Sequence, residues 1–315
     1  MLLCGCVGGS FAQNYPVRPI TMIVPSAPGG PSDVLARLLA PAMTRQLGQP
    51  VVIENIGGAG GNIGVTRTAR AAADGYTLLM QNIGMALSPA LYRNLDYDPL
   101  ADFEYVGLVS WGSMALIGRS SLPVKDFSDF LAYVKANRQS LSFANSGIGG
   151  PSHLCGLLFM SAVDTTLTTV PYRGTAPAMN DLVGGRVDLS CDSVSTAAPQ
   201  IRSGKVRAFG VTSRTRTMLL PDIPTLEEQG LRGFEMTTWQ AMYAPKATPK
   251  NVVDRVVVAL QGALRDRDFA AMLVGKLGID PVPVESATPA ALHAHLKAEI
   301  EKWGPLIRKA GIHAE

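Results

Sequence analysis

Two short segments of this chain carry nearly the same residues in the same order. Gly29-Gly30-Pro31-Ser32-Asp33 returns in the middle as Gly149-Gly150-Pro151-Ser152-His153. Each holds what an anion needs. A glycine caps a helix, and proline takes the first helical position, where its missing N–H costs nothing. Serine then sets a hydroxyl beside amides that no helical carbonyl can reach. With the positive end of the dipole, such a helix start receives anions. Glycine at a helix end is also an ordinary cap. The occurrence of one such start in each half of the chain favours two lobes closing on one anionic ligand. Gly30 is expected to tolerate a β-branched replacement worst.

The last residue of each copy differs. Asp33 is stable at a helix start whatever it binds; its readings are a plain cap, a holder of bridging water, or a partner for a ligand ammonium. A protonated His153 would oppose the dipole, so a neutral imidazole is expected, donating to a ligand oxygen or a backbone carbonyl. Asp192 follows an apolar strand and reads either as an acid in the cleft or as a solvated loop residue. Ser152, His153 and Asp192 include the residue types of a hydrolytic triad, but adjacent side chains on a helix point apart. The sequence has no G-x-S-x-G, HExxH, P-loop or zinc spacing. No enzyme activity, cofactor or metal is expected. Gly58–Gly64 fails as a dinucleotide loop because Ile63 stands where glycine is required, and a tight structural turn is favoured.

Positioning these loops requires alternating strands and helices, which argues for an α/β protein with mostly parallel sheets. Ile20–Val24 reads as a strand leading into a helix from Ser32 whose apolar residues recur with a 3.6 period, kinked at Pro41. Val51–Glu54 and Thr77–Met80 are further strands, with a helix over Thr66–Ala73 between them. Tyr105–Ile117 is a long apolar strand suited to crossing into a second lobe. That lobe takes helix Phe127–Ala136, strand Leu141–Ala144, the second loop, and a run of strands and helices to Thr212. Trp239–Tyr243 returns as a strand of the first lobe, and three helical stretches end the chain. The expected division is lobe 1 at 13–112 plus 236–315 and lobe 2 at 113–235.

At 315 residues the chain suits two lobes of ordinary size. With 17% charged and 47% hydrophobic residues it is globular, and its +3 charge lacks the basic clusters of a nucleic-acid binder. Residues 1–12 carry no charge and end in Ser10-Phe11-Ala12, and they read as a truncated signal peptide. No later run reaches the length of a membrane span. Cys4 and Cys6 would leave with that leader. Cys155 and Cys191 remain; export permits a disulfide, but two buried free thiols are the favoured reading.

A run of motifs then resembles one family. Pro25-Ser26-Ala27-Pro28-Gly29-Gly30-Pro31-Ser32-Asp33-Val34-Leu35-Ala36-Arg37 is similar to the opening of the receptors of tripartite tricarboxylate transporters, the Bug-type solute-binding proteins. Gly58-Ala59-Gly60-Gly61-Asn62-Ile63-Gly64, Asp74-Gly75-Tyr76-Thr77-Leu78, Pro171-Tyr172-Arg173-Gly174 and Pro221-Asp222-Ile223-Pro224-Thr225 continue it, from about residue 15 to the end. The resemblance implies a monomeric periplasmic protein of Venus-flytrap fold that delivers a small carboxylate to two membrane components. Sensing a carboxylate without a transporter is the alternative, and hydrolysis a remoter one. The implied contacts are Ser26, Ala27, Gly29, Gly30, Asp33, Asn82 and Gly84 in the first lobe. In the second they are Asn145, Ser146, Gly147, Ser152 and His153, with Asp192 nearby. Arg173 is assigned a supporting or surface role. Ser88-Pro89, the two cysteines and Gln240 depart from the family pattern and put the ligand, not the fold, in question.

Overall fold

The computed structural model describes residues 15–315 apart from Ala27, Arg173, Ala310, Ile312, Ala314 and Glu315. The leader assigned to 1–12 and the roles expected of Ala27 and Arg173 therefore lie outside the described residues.

The first strand, β1 (Ile20–Val24), is apolar almost throughout and enclosed, as a parallel strand covered on both faces must be. It leads into α1 (Pro31–Leu47), which starts at proline and stops at Gly48, a left-handed residue whose N–H donates to the Thr44 carbonyl. Pro41 sits inside this helix, which runs unbroken from Pro31 to Leu47. Next come β2 (Val51–Asn55), α2 (Asn62–Ala69), β3 (Thr77–Asn82) and α3 (Gly84–Leu91). The helix expected over Thr66–Ala73 thus begins and ends four residues earlier. Its start is pinned by Asn62, whose buried side-chain oxygen accepts from Ser88 Oγ and the Tyr97 hydroxyl.

The long strand is β4 (Phe103–Arg119). The second lobe follows as α4 (Phe127–Ala136), β5 (Ser142–Asn145), α5 (Pro151–Ala162), β6 (Thr168–Pro171), α6 (Thr175–Val183), β7 (Leu189–Ser193), α7 (Val194–Arg202) and β8 (Val206–Val211). The chain returns through β9 (Thr237–Pro245) and ends with α8 (Lys250–Leu264), α9 (Arg267–Met272), β10 (Asp280–Pro281) and α10 (Pro289–Lys309).

Parallel pairing is found where it was expected, between β1 and its neighbours β2 and β3, and between β5 and its neighbours β6 and β7. The strands joining these sets run antiparallel. Residues Phe103–Ser113 of β4 pair with β9, while Met114–Arg119 pair with β7 and β8. One strand therefore belongs to both lobes, and a single hydrogen-bonded path runs β2-β1-β3-β9-β4-β7-β5-β6. Trp111 and Trp239 stand directly opposite each other in the β4–β9 pair. Both lie against His295 of α10, with ring centroids at 4.7 and 5.0 Å. Glu299, one turn further along α10, accepts from the indole N–H of Trp239 at 3.2 Å and of Trp303 at 3.0 Å. Among the described residues no helix is long and apolar enough to cross a membrane.

Candidate functional site

The two repeated loops fold alike. Each leaves the end of a parallel strand, β1 or β5, and turns into a helix, α1 or α5. Gly29 and Gly149 take left-handed backbone angles, φ +80° and +76°. Gly30 and Gly150, the cap residues, take extended ones, φ/ψ −73/166° and −76/169°. The intolerance expected at Gly30 therefore belongs one residue earlier, since any side chain adopts an extended backbone and few adopt the left-handed one. The first intrahelical bonds are Val34 N–H to Gly30 and Leu154 N–H to Gly150. The amides of Ser32, Asp33, Ser152 and His153 thus have no helical carbonyl to reach.

The residue that differs between the copies does the same work in both. Asp33 accepts from the Gly29 N–H at 2.8 Å, and the Nδ1 of His153 accepts from the Gly149 N–H at 3.0 Å. Each side chain reaches back from the first turn to pin the left-handed glycine. For His153 this excludes the protonated form, because Nδ1 must present its lone pair; burial pushes its pKa down to the same effect. Burial would raise Asp33, but hydrogen bonds from Arg37, the Gly29 amide and Asn55 outweigh it and hold the carboxylate below its usual range. Asp33 acts as a cap paired to Arg37 at 3.0 Å. The charge at the first loop is thereby compensated inside the protein.

These assignments carry a pH signature. The folded protein favours neutral His153, so its contribution is complete above the ordinary value of 6.5 and is lost as pH falls through 6.5 toward the lowered folded value. His153→Asn keeps an acceptor that does not titrate. Relative to wild type, this variant should gain unfolding free energy between pH 6.5 and 5 and should hold a constant difference from 8 to 6.5. Urea unfolding at several pH values measures this; a difference constant down to pH 5 would rule out the role.

The hydroxyls are already engaged. Ser32 Oγ accepts from Gln240 Nε2 at 2.8 Å, and Ser152 Oγ donates to the Cys191 carbonyl at 2.6 Å. That carbonyl lies beside a feature the sequence reading did not favour: Cys155 and Cys191 form a disulfide, with Cα atoms 6.0 Å apart. The bridge and the Ser152 bond fasten the first turns of α5 to the end of β7. The free-thiol expectation failed because 36 residues of sequence separation hide this contact, which only the packing of α5 on β7 creates. Asp192 follows at once, buried at the end of β7, with its carboxyl accepting from the Ser193 N–H at 2.7 Å. Burial pushes its pKa up to about 6, against the pull of Ser193 and Thr196.

Asparagines extend the symmetry. Asn82 Oδ1 accepts from the Gly84 N–H at 2.8 Å and Asn145 Oδ1 from the Gly147 N–H at 3.1 Å, each at a strand end beside the loops. The Ser146 carbonyl accepts from the Gly174 N–H, tying the second loop to the start of α6. The lobes come into contact here. A Cβ added to Gly149 would stand 2.7 Å from Leu91 Cδ1 on α3, across the cleft. The Gly58–Gly64 segment is a single tight turn over Ala59–Gly61 that runs into the first residues of α2, where a Cβ on Gly64 would lie 2.7 Å from the Ile56 carbonyl.

At the level of these strand ends, five buried side-chain atoms have no hydrogen-bond partner among the described residues: Ser26 Oγ, Asp33 Oδ1, Gln81 Nε2, Asn145 Nδ2 and Gln240 Oε1. Gln240 is level with Asn82 because β9 runs antiparallel to β3. A buried polar atom left unpaired is costly, and native proteins concentrate such atoms where something else completes them. Three of the five are able to donate, which suits an anion. Sequence reasoning missed Gln81 and Gln240. Gln81 adjoins Asn82 in a strand-end pattern that offered a signal, whereas Gln240 reaches α1 from a strand 208 residues away.

Comparison with known proteins agrees. The chain resembles the structure of the periplasmic binding protein BugD, at 46% identity and a TM-score of 0.85 over 96% of this chain and all of that one. It also resembles MatC from Rhodopseudomonas palustris with bound malate, at 37% identity and a TM-score of 0.83 over 93% of this chain and all of the other. A further R. palustris protein, with adipate, is 33% identical with a TM-score of 0.86, over 95% of this chain and 99% of its own. Residues 35–312 match the model of the tripartite tricarboxylate transporter family receptor. With two lobes, twin helix starts and unpaired donors between them, the chain belongs to that receptor family of periplasmic binding proteins.

Proposed function

We propose that this protein captures a small carboxylate between its lobes, in the periplasm, and delivers it to the membrane subunits of a tripartite transporter. The observation that carries the reading is the pairing of two like helix starts with unpaired donors at Ser26, Gln81 and Asn145. The site residues would be Ser26, Ala27, Gly29, Gly30, Asp33, Asn82 and Gly84 from one lobe and Asn145, Ser146, Gly147, Ser152, His153 and Asp192 from the other. Gln81 and Gln240 join them. The division at 13–112 plus 236–315 and 113–235 would then be the boundary about which a monomer closes, after a leader at 1–12 is removed. The malate and adipate held by its relatives favour a dicarboxylate.

Binding suits this arrangement better than turnover. Ser152 Oγ is directed to a backbone carbonyl and His153 Nδ1 to a backbone amide, so neither activates the other. A thermal-shift screen of di-, tri- and aromatic carboxylates and amino acids tests the reading. A true ligand at a hundred times its Kd stabilises by about 2.7 kcal/mol. Ser26→Ala should leave the ligand-free protein's stability unchanged, because that hydroxyl has no hydrogen-bond partner among the described residues. It should weaken the ligand about fivefold to a hundredfold, the loss of one hydrogen bond to a charged group. No shift with any carboxylate class would sink the proposal.

A further inference from the structure

Gln240 differs in sign from the unpaired donors Ser26, Gln81 and Asn145. Its Nε2 is spent on Ser32 Oγ at 2.8 Å, so the atom left unpaired is Oε1, an acceptor. A carboxylate has no hydrogen to give it. Directly opposite, in the register of β4 on β9, stands Ser110, whose Oγ is also buried without a partner among the described residues. Directly paired residues on neighbouring strands present their side chains on one face, with Cβ atoms about 5 Å apart. Gln240 is 8% exposed and Ser110 1%, so water does not complete them freely. Asn82 is the partner of Gln240 on its other side, and Ser32 opens α1, which sets this pair beside the first-lobe anion loop.

We infer that the ligand is a hydroxy-carboxylate, whose hydroxyl is received by Gln240 and Ser110. This rests on the carboxylate-receptor reading above. A hydroxyl donates to Gln240 Oε1 and accepts from the Ser110 O–H, completing both groups at once. A methylene completes neither. An ammonium has no lone pair for the Ser110 proton, and it would need a free anion on this side of the cleft. Asp33, the acid of the first loop, has its charge offset by Arg37 and accepts the Gly29 amide, although its Oδ1 has no hydrogen-bond partner among the described residues. Recognition by a buried acceptor also discriminates sharply, because an analogue lacking the donor leaves that acceptor unpaired in the complex.

Calorimetry with matched pairs tests the inference: malate against succinate, 2-hydroxyglutarate against glutarate, citrate against tricarballylate, and mandelate against phenylacetate. Aspartate is added as the amino counterpart of malate. Wild type should bind the hydroxylated member of at least one pair about ten- to a hundredfold more tightly. Gln240→Leu should bring that ratio close to one, because the hydroxylated member loses its acceptor while the other loses nothing specific to a hydroxyl. Ser110→Ala should lower the ratio part of the way. The wild-type ratio stands as a test even where a variant folds poorly. Ratios near one in every pair that binds, a ratio retained in Gln240→Leu, or aspartate preferred to malate would overturn the inference while leaving the receptor reading intact. Silence from all nine compounds would remove the receptor reading, and this inference with it.

Discussion

Valine in place of Gly149 should reduce ligand affinity a hundredfold or more while leaving a folded protein. Two independent costs meet at this residue. Its φ of +76° lies where L side chains pay about 1–2 kcal/mol, and β-branching restricts the backbone further. The added Cβ would also stand 2.7 and 3.1 Å from the two methyl carbons of Leu91, a side chain 3% exposed and packed in the core, with little room to move. The strain acts in the second lobe alone, but the clash exists only when the lobes meet, so it falls on closure and on binding. Gly30→Val, on an extended backbone, should weaken binding much less. Calorimetry on the two variants with one carboxylate from the screen decides it. Binding by Gly149→Val within threefold of wild type would show that the lobes need not meet at Leu91.

Removing the disulfide should have the largest effect on stability. Closing a loop across 36 residues stabilises a fold by about 3–4 kcal/mol when the bridge restricts the unfolded chain. Cys155→Ala combined with Cys191→Ala should therefore lower Tm by roughly 5–6 °C. The bridge also seats α5 on β7, where Ser152 reaches the Cys191 carbonyl, so affinity should fall too, by a smaller factor. Reductant should reproduce the stability loss in the wild type. Two free thiols titrated in the oxidised, folded protein without residues 1–12, and so without Cys4 and Cys6, would contradict the bridge.

What the sequence made legible was local. The twin helix starts, the proline at each first position and the long crossing strand depend on neighbours within a few residues, and all three are present as read. The neutral state expected of His153 follows from its place in the first turn, although its bond is to the Gly149 amide and not to a carbonyl. Long-range placement was not legible. Nothing near Cys155 announces Cys191, and nothing near Gln240 announces Ser32, because each meeting depends on which strand lies beside which. The same limit shifted the critical glycine by one place: Gly29 and Gly30 are identical in sequence, and only the backbone path tells them apart. The mostly parallel expectation holds for the outer strands and stops at β4 and β9, since a strand that serves two lobes must be paired by a returning one.

The three tryptophans have a practical consequence. This chain has Trp111, Trp239 and Trp303 and no other, and α10 gathers them against the two strands that join the lobes. Excited at wavelengths that tyrosine does not absorb, this protein therefore emits from α10 and the two strands that join the lobes. A change in spectrum on mixing with a colourless solute would report movement of the joint itself, with no label attached and at nanomolar protein. The imidazole of His295 lies against two of the three indoles, so that signal would answer first to how α10 sits on those strands.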